Sequence, residues 1–279
     1  MESQRAPAIT DADRSVRGPL AEHRILISPQ VALLLGVTEA TARRRLLRLS
    51  RAGLIEYRRV FDAQPPATRI TRRGLNVIEH HLPPPQIDLR GYRHDVGVGW
   101  LWLAARGGVF GELTAVTAER AMRASDGRGG RQPFGVGLGL LGPHGQPKRH
   151  YADLMLNTRS GHRVAVELEL TAKSSGRMSR IMTAYASDAR VDVVLYLVPT
   201  PALARLVSNA ARKAGIADLV HVQRLAPGAI QGAPSHTLDR AGGRSHALHA
   251  PGAFRASGAS RNPGAARNSG ASRNLKVEL

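Results

Sequence analysis

PQVALLLGVTEATARRRLLRLSRAGLIEYRRVFDAQPPATRIT, residues 29–71, is the stretch with the clearest structural pattern in the chain. Pro29 is typical of a helix start, and the apolar residues after it are spaced for a short helix that ends at Gly36. Thr38 is placed to cap a second helix. This helix should end at Gly53 and has one apolar face, formed by Ala42, Leu46 and Leu49. Residues 54–61 and 68–71 then predict two strands joined by a loop at Gln64, Pro65 and Pro66.

Helix, tight turn, basic helix and β-hairpin together resemble a winged helix-turn-helix. LGVTEATARRRLLRLSRAGLIEYRR followed by ATRITRRGLNVI resembles the winged-helix domains of bacterial DNA-binding proteins. The resemblance implies that the second helix enters the major groove of double-stranded DNA, where phosphate contacts position it and base-edge contacts specify sequence. The residues that it places at the DNA are Thr38, Glu39, Thr41, Arg43, Arg44, Arg45 and Arg48 on the helix, and Arg58, Arg59 and Arg69 on the wing. The alternative is a winged-helix fold used for protein contacts, with its arginines on a solvated face.

The charge of the chain favours a polyanionic partner, since the formal net charge is +19 at pH 7 and the pI is near 11.5. A GC-rich genome explains the excess of arginine over lysine but not the shortage of acids. The chain has no cysteine, which excludes disulfides and thiolate-held zinc. The start lacks the apolar segment of a secretory signal, and the apolar runs are too short to span a bilayer. We therefore expect a cytoplasmic, nucleoid- or plasmid-associated protein without a membrane partner.

Composition divides the chain into five segments. They are a disordered N-terminus at residues 1–18, a winged helix-turn-helix domain at 19–82, a proline-rich linker at 83–90, an α/β domain at 91–225 and a disordered tail at 226–279. The first domain also includes predicted helices at 20–26 and 72–81. Three consecutive prolines stiffen the linker. The tail repeats the units GAFRA, GASRN, GAARN and GASRN, and this composition cannot bury a core.

The second domain has alternating strand and helix patterns. We predict helices at 92–105, 115–125, 173–187 and 200–214, a glycine-rich loop with one strand at 126–142, a turn at 143–147, and strands at 151–157, 163–170, 191–198 and 219–225. The run at 191–198 is apolar throughout, which is typical of a strand that is buried on both faces. This order implies a mixed sheet with flanking helices, and therefore an α/β fold.

Three acidic residues lie on two of these strands. Period-two alternation places Glu167 and Glu169 on one face of their strand. If this strand pairs with its predecessor through the turn at Ser160–Gly161, then Asp153 comes near Glu167. Carboxylates on adjacent strands suit Mg²⁺, and such a metal would activate water in phosphodiester cleavage. Lys173 follows closely and would help to hold a phosphate.

This arrangement resembles the PD-(D/E)xK, or restriction-endonuclease-like, nuclease fold. Asp153 matches the aspartate of that pattern and Glu167 matches its second acid, while Ala152 replaces the usual proline and Glu169 stands where the lysine is expected. The resemblance implies the catalytic set Asp153, Glu167, Glu169 and Lys173. Lys173 would be a displaced substitute for the lysine. The metal ligands would be Asp153 and Glu167, with Mg²⁺ as the cofactor.

These residues also have structural interpretations. Glu167 and Glu169 would then pair with Arg163, Arg177 or Arg180 on an exposed sheet face. Tyr185 has the chemistry of a relaxase-type nucleophile, but we expect it to be a buried helix residue that packs on the sheet. The histidines show no clustered metal-binding pattern, because His94, His144, His150 and His162 are scattered. His94 and Asp95 are expected to make a helix cap or a local hydrogen bond.

The winged helix, a helix that begins near His94, and YADLML…VAVELELTAKSSGRMSRIMTAYAS together resemble the plasmid replication-relaxation family of actinobacteria and firmicutes over residues 20–225. The resemblance implies a DNA-binding accessory role in replication, relaxation or mobilisation of a plasmid or integrated mobile element. The expected partners are double-stranded DNA, other replication or mobilisation proteins, and a second copy of the chain. Two alternatives stay open. One is a Mg²⁺-dependent nuclease or nickase guided by the winged helix, and the other is a transcription regulator whose second domain oligomerises.

Overall fold

The structure, a computed structural model, describes residues 11–129, 132–142 and 145–225, and within them the chain is an α/β protein with mixed sheets. The predicted tail at 226–279, the first ten residues of the predicted disordered N-terminus, and His144 lie outside the described residues. The elements of the first part are α1 (Asp11–Glu22), β1 (Leu26–Ile27), α2 (Ser28–Leu35), α3 (Glu39–Arg51), β2 (Ile55–Arg58), β3 (Ala67–Ile70) and α4 (Arg72–Val77).

The first part closely follows the predicted pattern between residues 29 and 71. Gly36 ends α2 in the left-handed conformation with φ of 62°. The Thr38 side chain caps α3 by accepting a hydrogen bond from the Thr41 N–H. The predicted apolar face is confirmed, since Ala42, Leu46 and Leu49 are buried. The strands form an antiparallel sheet in the order β1–β3–β2.

The prediction for residues 11–26 is wrong. α1 begins at Asp11, so residues 11–18 are helical, and it ends at Glu22, before the predicted helix end at 26. Val16 and Leu20 explain the difference, because they are one helical turn apart and both are fully buried in the core of this part. Ile25 and Leu26 are buried as expected, but Leu26 belongs to the short strand β1.

The second part is built on a mixed sheet, as predicted, and this sheet has five strands in the order β10–β9–β8–β7–β4. Its elements are α5 (Tyr92–Arg106), β4 (Leu113–Ala118), α6 (Glu119–Gly127), β5 (Val136–Leu141), β6 (Pro147–His150), β7 (Leu154–Thr158), β8 (Arg163–Leu168), α7 (Ser175–Ala186), β9 (Val193–Val198), α8 (Pro201–Lys213) and β10 (Val220–Arg224). Strands β8, β9 and β10 run parallel, while β7 and β4 pair antiparallel. One core cluster contains residues of α7 and α8, and another contains residues of α5.

Two predictions in this part are wrong. Residues 113–118 form the strand β4, so the helix predicted at 115–125 begins only at Glu119. β4 pairs with β7 at the edge of the sheet, and this pairing overrides the helix propensity of its alanines. The turn predicted at 143–147 is replaced at Pro147 by β6, which pairs with β5 in a separate two-stranded sheet.

The hydrophobic core continues across the predicted linker. One cluster of buried residues joins Ile25, Ile27 and Ala67 of the first part to Trp102 and Leu154 of the second. The side chain of Gln30 on α2 donates a buried hydrogen bond of 2.7 Å to the carbonyl oxygen of Val96 on α5. The two predicted domains therefore share one core.

The proline segment is bonded to both parts instead of serving as a free spacer. The Arg69 side chain donates to the carbonyl oxygen of Pro85 at 2.8 Å. Arg120 donates to the carbonyl oxygen of Pro83 at 2.7 Å and also to that of Ala21 at 3.1 Å. These bonds hold the linker against α6 and against the first part.

Candidate functional site

Asp153, Glu167 and Glu169 meet where β7 begins and β8 ends. The backbone N–H of Asp153 donates to the Val166 carbonyl oxygen at 3.1 Å, and the Leu168 N–H donates to Asp153 Oδ2 at 2.7 Å. Glu167 and Glu169 are 2% and 3% exposed. Antiparallel pairing of β7 with β8 thus brings Asp153 beside Glu167, as predicted.

The predicted alternation of side chains between the two faces of the sheet along β8 is confirmed. Val164, Val166 and Leu168 belong to the core on the α5 side of the sheet, whereas Ala165 belongs to the core under α7 and α8. Glu167 shares the face of Ala165 by alternation. This face is buried under helices, so the predicted exposed surface and the predicted pairing with Arg163, Arg177 or Arg180 are wrong.

Each of the three acids instead has its own basic partner. His94 Nε2 lies 3.1 Å from Asp153 Oδ2, and His150 Nε2 lies 2.6 Å from Glu167 Oε1. The ammonium group of Lys173 is bonded to Glu169. We call these six residues the paired-acid cluster: Asp153, Glu167, Glu169, His94, His150 and Lys173. The predicted catalytic residues are therefore all brought together, with two histidines added.

Tyr185 of α7 completes the environment of Glu167. Its hydroxyl donates to Glu167 Oε1 at 2.5 Å, and its ring packs edge-to-face on His150 with centroids 5.8 Å apart. Tyr185 is 2% exposed, which confirms the prediction of a buried helix residue. Burial, followed by the charge of Glu167, raises the pKa of Tyr185 well above its usual value. The phenol therefore stays protonated, which does not suit a nucleophile.

The electrostatics of the cluster favour ion pairs. Burial lowers the pKa of His94, but the hydrogen bond to Asp153 and the charges of Asp153 and Asp95 together outweigh burial and raise the pKa to about 10. Burial likewise lowers the pKa of His150, but the charge of Glu167, the hydrogen bond to Glu167 and the charge of Asp153 together outweigh it and raise the pKa above its usual value. In both imidazoles the neighbouring carboxylate thus favours the protonated form.

Burial, hydrogen bonds and neighbouring charges also shift the pKa values of the carboxyl groups. Burial raises the pKa of Glu167, but the charge and hydrogen bond of His150, the charge of Lys173 and the hydrogen bond from Tyr185 together outweigh burial and lower the pKa. For Glu169, burial is the larger effect and raises the pKa despite the bond to Lys173. The charges of Glu167 and Asp153 also raise the pKa of Glu169, which shows that the three acids act on one another.

One carboxylate oxygen of Asp153 and one of Glu167 are bonded to neighbouring groups, which would compete with a Mg²⁺ ion at the predicted site. Mg²⁺ needs carboxylate oxygens that are free to coordinate it. Here Asp153 Oδ2 is bonded to His94 and the Leu168 N–H, and Glu167 Oε1 is bonded to His150 and Tyr185. In the part of the chain that the structure describes, no set of three His, Asp or Glu side chains is placed to hold a metal ion.

His94 and His150 are the two site residues that the sequence did not reveal. His94 lies 59 residues before its partner Asp153, and no local pattern links such distant positions. His150 lies 17 residues before Glu167, at the end of the unpredicted strand β6. The predicted local contact of His94 with Asp95 is long, with Nδ1 and Oδ1 3.9 Å apart.

The predicted DNA-contacting helix α3 exposes a row of arginines. Arg44, Arg48 and Arg51 recur at intervals of four and three residues and are exposed, so they lie along one side of the helix. Leu47 lies in the same row and is 44% exposed. Ala42, Leu46 and Leu49 anchor the opposite side in the core. Arg45 is half-buried.

Several polar residues at the start of α3 also bond within the chain. Arg43 forms a salt bridge of 2.6 Å with Glu39, whose carboxylate also accepts a hydrogen bond of 3.0 Å from Ser28. Arg44 donates to the Thr41 hydroxyl at 3.1 Å. Glu39 is therefore engaged with its neighbours, while the exposed Arg44 is held at the first turns of the helix.

Two of the three arginines predicted on the wing are exposed. Arg58 and Arg59 are exposed at the end of β2, and Arg59 donates to the Asp62 carbonyl oxygen at 3.1 Å. Arg69 is different, because it makes bonds of 2.6 and 2.7 Å to the Glu56 carboxylate and also bonds to Pro85. The hydrogen bond from Arg69 lowers the pKa of Glu56. Its donors are used inside the molecule, which disfavours the predicted phosphate contact.

Comparisons with protein-family models, with curated proteins and with solved structures find no match for this chain. Among the helices of the described residues, none combines the length and the apolar character needed to cross a lipid bilayer.

Proposed function

We propose that this protein binds double-stranded DNA through α3 and the β2–β3 hairpin, which would act as a winged helix-turn-helix. The observation that carries the proposal is the exposed row of Arg44, Arg48 and Arg51 on a helix whose other face is buried. A helix anchored in this way presents its arginines as a rigid set, as docking in a major groove requires.

Further observations agree with this proposal. Thr38 and Thr41 lie at the N-terminal end of α3, where recognition helices contact base edges. Arg58 and Arg59 extend the basic surface onto the hairpin. The net charge of +19 would draw the chain to DNA at any sequence. We infer that phosphate contacts come from the arginines and sequence selection from the two threonines.

The biological role that we propose is an accessory function in replication, relaxation or mobilisation of a plasmid or integrated mobile element. In this role the second part, which we propose to be a restriction-endonuclease-like domain, is a scaffold whose acids are neutralised by their partners. The competing proposal is a transcription regulator whose second part oligomerises. Mapping the bound DNA in cells separates these roles, because the accessory role requires occupancy at an origin and the regulator requires occupancy at promoters.

The direct test of DNA binding uses the full chain and duplex DNA at several salt concentrations. Replacing Arg44 and Arg48 by Ala should lower the affinity and reduce the slope of log affinity against log salt by about 0.9 for each lost phosphate contact. The matched control replaces the exposed Arg205 of α8 and Arg224 of β10. An unchanged slope in the α3 variant, or an equal loss in the control, would reject α3 as the duplex contact.

A DNA nuclease or nickase is the second candidate function. The observation in its favour is that Lys173 reaches the acids, since it contacts Glu169 beside Glu167. The histidine–carboxylate pairs count against it, because each pair occupies one carboxylate oxygen that a metal would otherwise use. Nicking of supercoiled plasmid with Mg²⁺ or with EDTA tests it, beside an Asp153→Asn/Glu167→Gln variant. Metal-dependent nicking that is lost in this variant would establish the nuclease and overturn the scaffold role.

A further inference from the structure

The exposed face of α3 has an apolar side chain near its centre. Successive residues of a helix are rotated by about 100° around its axis. By this geometry, four exposed residues of α3 lie within about 60° of one another: Ala40, Arg44, Leu47 and Arg51. They lie roughly opposite Ala42 and Leu49, which anchor the helix in the core. We call these four residues the central stripe of α3.

Two further arginines flank the central stripe. Arg43 and Arg48 lie about 70° to either side of its middle by the same geometry, and both are exposed. A major groove about 12 Å wide admits a helix, so that the centre of the inserted face meets the base edges and its flanks meet the phosphates of the two strands. The flanking arginines therefore suit phosphate contacts, and the central stripe suits base contacts.

The position of Leu47 gives its exposure a meaning. Leu47 is 44% exposed, and a single exposed leucine is ordinary on a protein surface. Leu47 differs because it lies at the centre of the face that the arginines surround. Arg44 precedes it by three residues and Arg51 follows it by four, so each is about one helical turn away. Cations on both sides would draw this leucine against a polyanion.

The chemistry of Leu47 selects among the four bases. Its side chain neither donates nor accepts hydrogen bonds. In the major groove, guanine, adenine and cytosine present only polar atoms, whereas thymine presents an apolar C5-methyl group beside its O4 acceptor. A leucine pressed against a polar edge displaces water without replacing its hydrogen bonds, which is unfavourable. A leucine pressed against the methyl group removes two apolar surfaces from water, which is favourable.

The charge of α3 favours DNA over a protein as the partner that covers this face. The helix contains five arginines and one acid, and that acid, Glu39, is paired with Arg43. A protein partner would need a strongly acidic surface with an apolar centre. Every DNA duplex supplies phosphates on both sides of the groove. The small side chain of Ala40, on the same stripe, does not hold the helix away from the bases.

We propose that α3 recognises a thymine in the major groove, and that Leu47 makes the specifying contact with the C5-methyl group. This inference rests on the proposed duplex contact of α3 and names a base that the helix reads. The contact adds to the polar contacts proposed for Thr38 and Thr41. It is neutral, so it contributes to sequence selection and not to the salt dependence of binding.

The test begins with the duplex that the full chain selects from a pool of random sequences. Each thymine of this duplex is then replaced in turn by uracil, which removes the methyl group and keeps the base pair. Unmodified protein, Leu47→Ala and Leu47→Met are compared on every duplex. The matched control is Leu33→Ala on α2, because Leu33 is also exposed, at 52%, but lies outside α3. Since both leucines are exposed, these substitutions leave the core intact.

We expect uracil at one position to weaken binding by the unmodified protein about fourfold, the factor that one buried methyl group contributes. Leu33→Ala and Leu47→Met should show the same loss, since both keep an apolar side chain at position 47. Leu47→Ala should bind the thymine and uracil duplexes equally well. Its slope of log affinity against log salt should be unchanged, because no phosphate contact is removed.

Two results would overturn the proposal. One is a selected duplex in which uracil has no effect at any position. The other is a uracil effect that persists undiminished in Leu47→Ala. Both results leave the duplex contact of α3 standing, because binding is observed in each. Failure of the unmodified protein to bind any duplex of the pool would instead reject the proposed function, and the thymine contact with it.

Discussion

The hydroxyl of Tyr185 donates a hydrogen bond of 2.5 Å to Oε1 of Glu167, and both side chains are almost completely buried. The bond joins α7 to the centre of the sheet, where β8 lies between β7 and β9. A buried carboxylate is costly unless donors surround it. Tyr185 and His150 supply these donors together, so the interior of the second part depends on a small polar network.

Replacing Tyr185 by Phe removes one donor from this network and keeps the ring. We expect the free energy of unfolding to fall by about 1–3 kcal/mol, because Glu167 keeps its charge but loses a hydrogen bond. Urea unfolding measures the change. Tyr57→Phe, in the half-buried β2 strand, is the control and should have little effect. Similar losses in the two variants would show that the Tyr185 hydroxyl has no special role.

The pair His150 and Glu167 can be tested by a double-mutant cycle. His150→Gln leaves a buried carboxylate without its cation, and we expect a loss of about 3–5 kcal/mol. The double variant His150→Gln/Glu167→Gln should be less damaged than the single one, because both charges are gone. Unfolding free energies of the four proteins give the coupling. Additive losses would contradict an ion pair between these residues.

His23 makes the stability depend on pH. Burial, followed by repulsion from Arg120, lowers its pKa to about 4, and its ring packs edge-to-face on Trp102 with centroids 5.0 Å apart. The unfolded chain takes up a proton at this residue below its ordinary pKa of about 6.5. The contribution of neutral His23 to stability is therefore full above that value and is lost as pH falls toward the folded-state pKa.

We expect the lowered pKa of His23 to reduce the free energy of unfolding by about 2 kcal/mol as the pH falls from about 7 to about 5. His23→Leu removes this component, so the difference between variant and unmodified protein should change with pH by that amount. Taking this difference cancels the titration of the other histidines. A difference that is constant over this range would contradict a neutral, buried His23.

Gly99 permits the close approach of α5 to α2. A Cβ atom at this position would lie 2.7 Å from Gln30 Nε2 and 3.0 Å from Leu26 Cδ2. Gly99→Ala should therefore destabilise the fold by about 1–3 kcal/mol, since the contact must shift. Gly18→Ala in α1 is the control, because nothing lies within 4 Å of its added Cβ, and it should be neutral or stabilising. Thermal unfolding of both variants tests the contact.

Arg69 should matter for stability and not for DNA binding. Arg69→Ala loses the bonds to Glu56 and Pro85, and we expect a loss of up to about 1 kcal/mol for this partly exposed pair. Arg58→Ala should instead lower the slope of duplex affinity with salt by about 0.9. A salt slope that falls in the Arg69 variant and not in the Arg58 variant would reverse these roles.

Local patterns predicted much of the fold. Capping by Thr38, the apolar face of α3 and the alternation along β8 depend on residues within a few positions of each other, and all are confirmed. The strand β4 was missed because its alanines favour a helix until β7 supplies hydrogen bonds. α1 was missed because only Val16 and Leu20 mark it as apolar.

Local patterns also predicted part of the candidate site. Asp153 and Glu167 were placed together because one hairpin turn joins their strands. His94 comes from a helix on the other side of the sheet, and only the folded chain brings it to Asp153. The pairing of Arg69 with Glu56 is set by the antiparallel register of β2 and β3, which no local pattern of residues reveals. That register places Glu56 opposite Arg69 and predicts their salt bridge.

The shared core beneath the proline segment has a geometric consequence. Gln30 of α2 is bonded to Val96 of α5, and α5 packs on the same sheet that carries the paired-acid cluster. A duplex seated on α3 would therefore stand at one fixed distance and angle from the paired-acid cluster. Any further contact that the second part makes with the same DNA would fall at a constant spacing from the sequence bound by α3, and always on the same side of it.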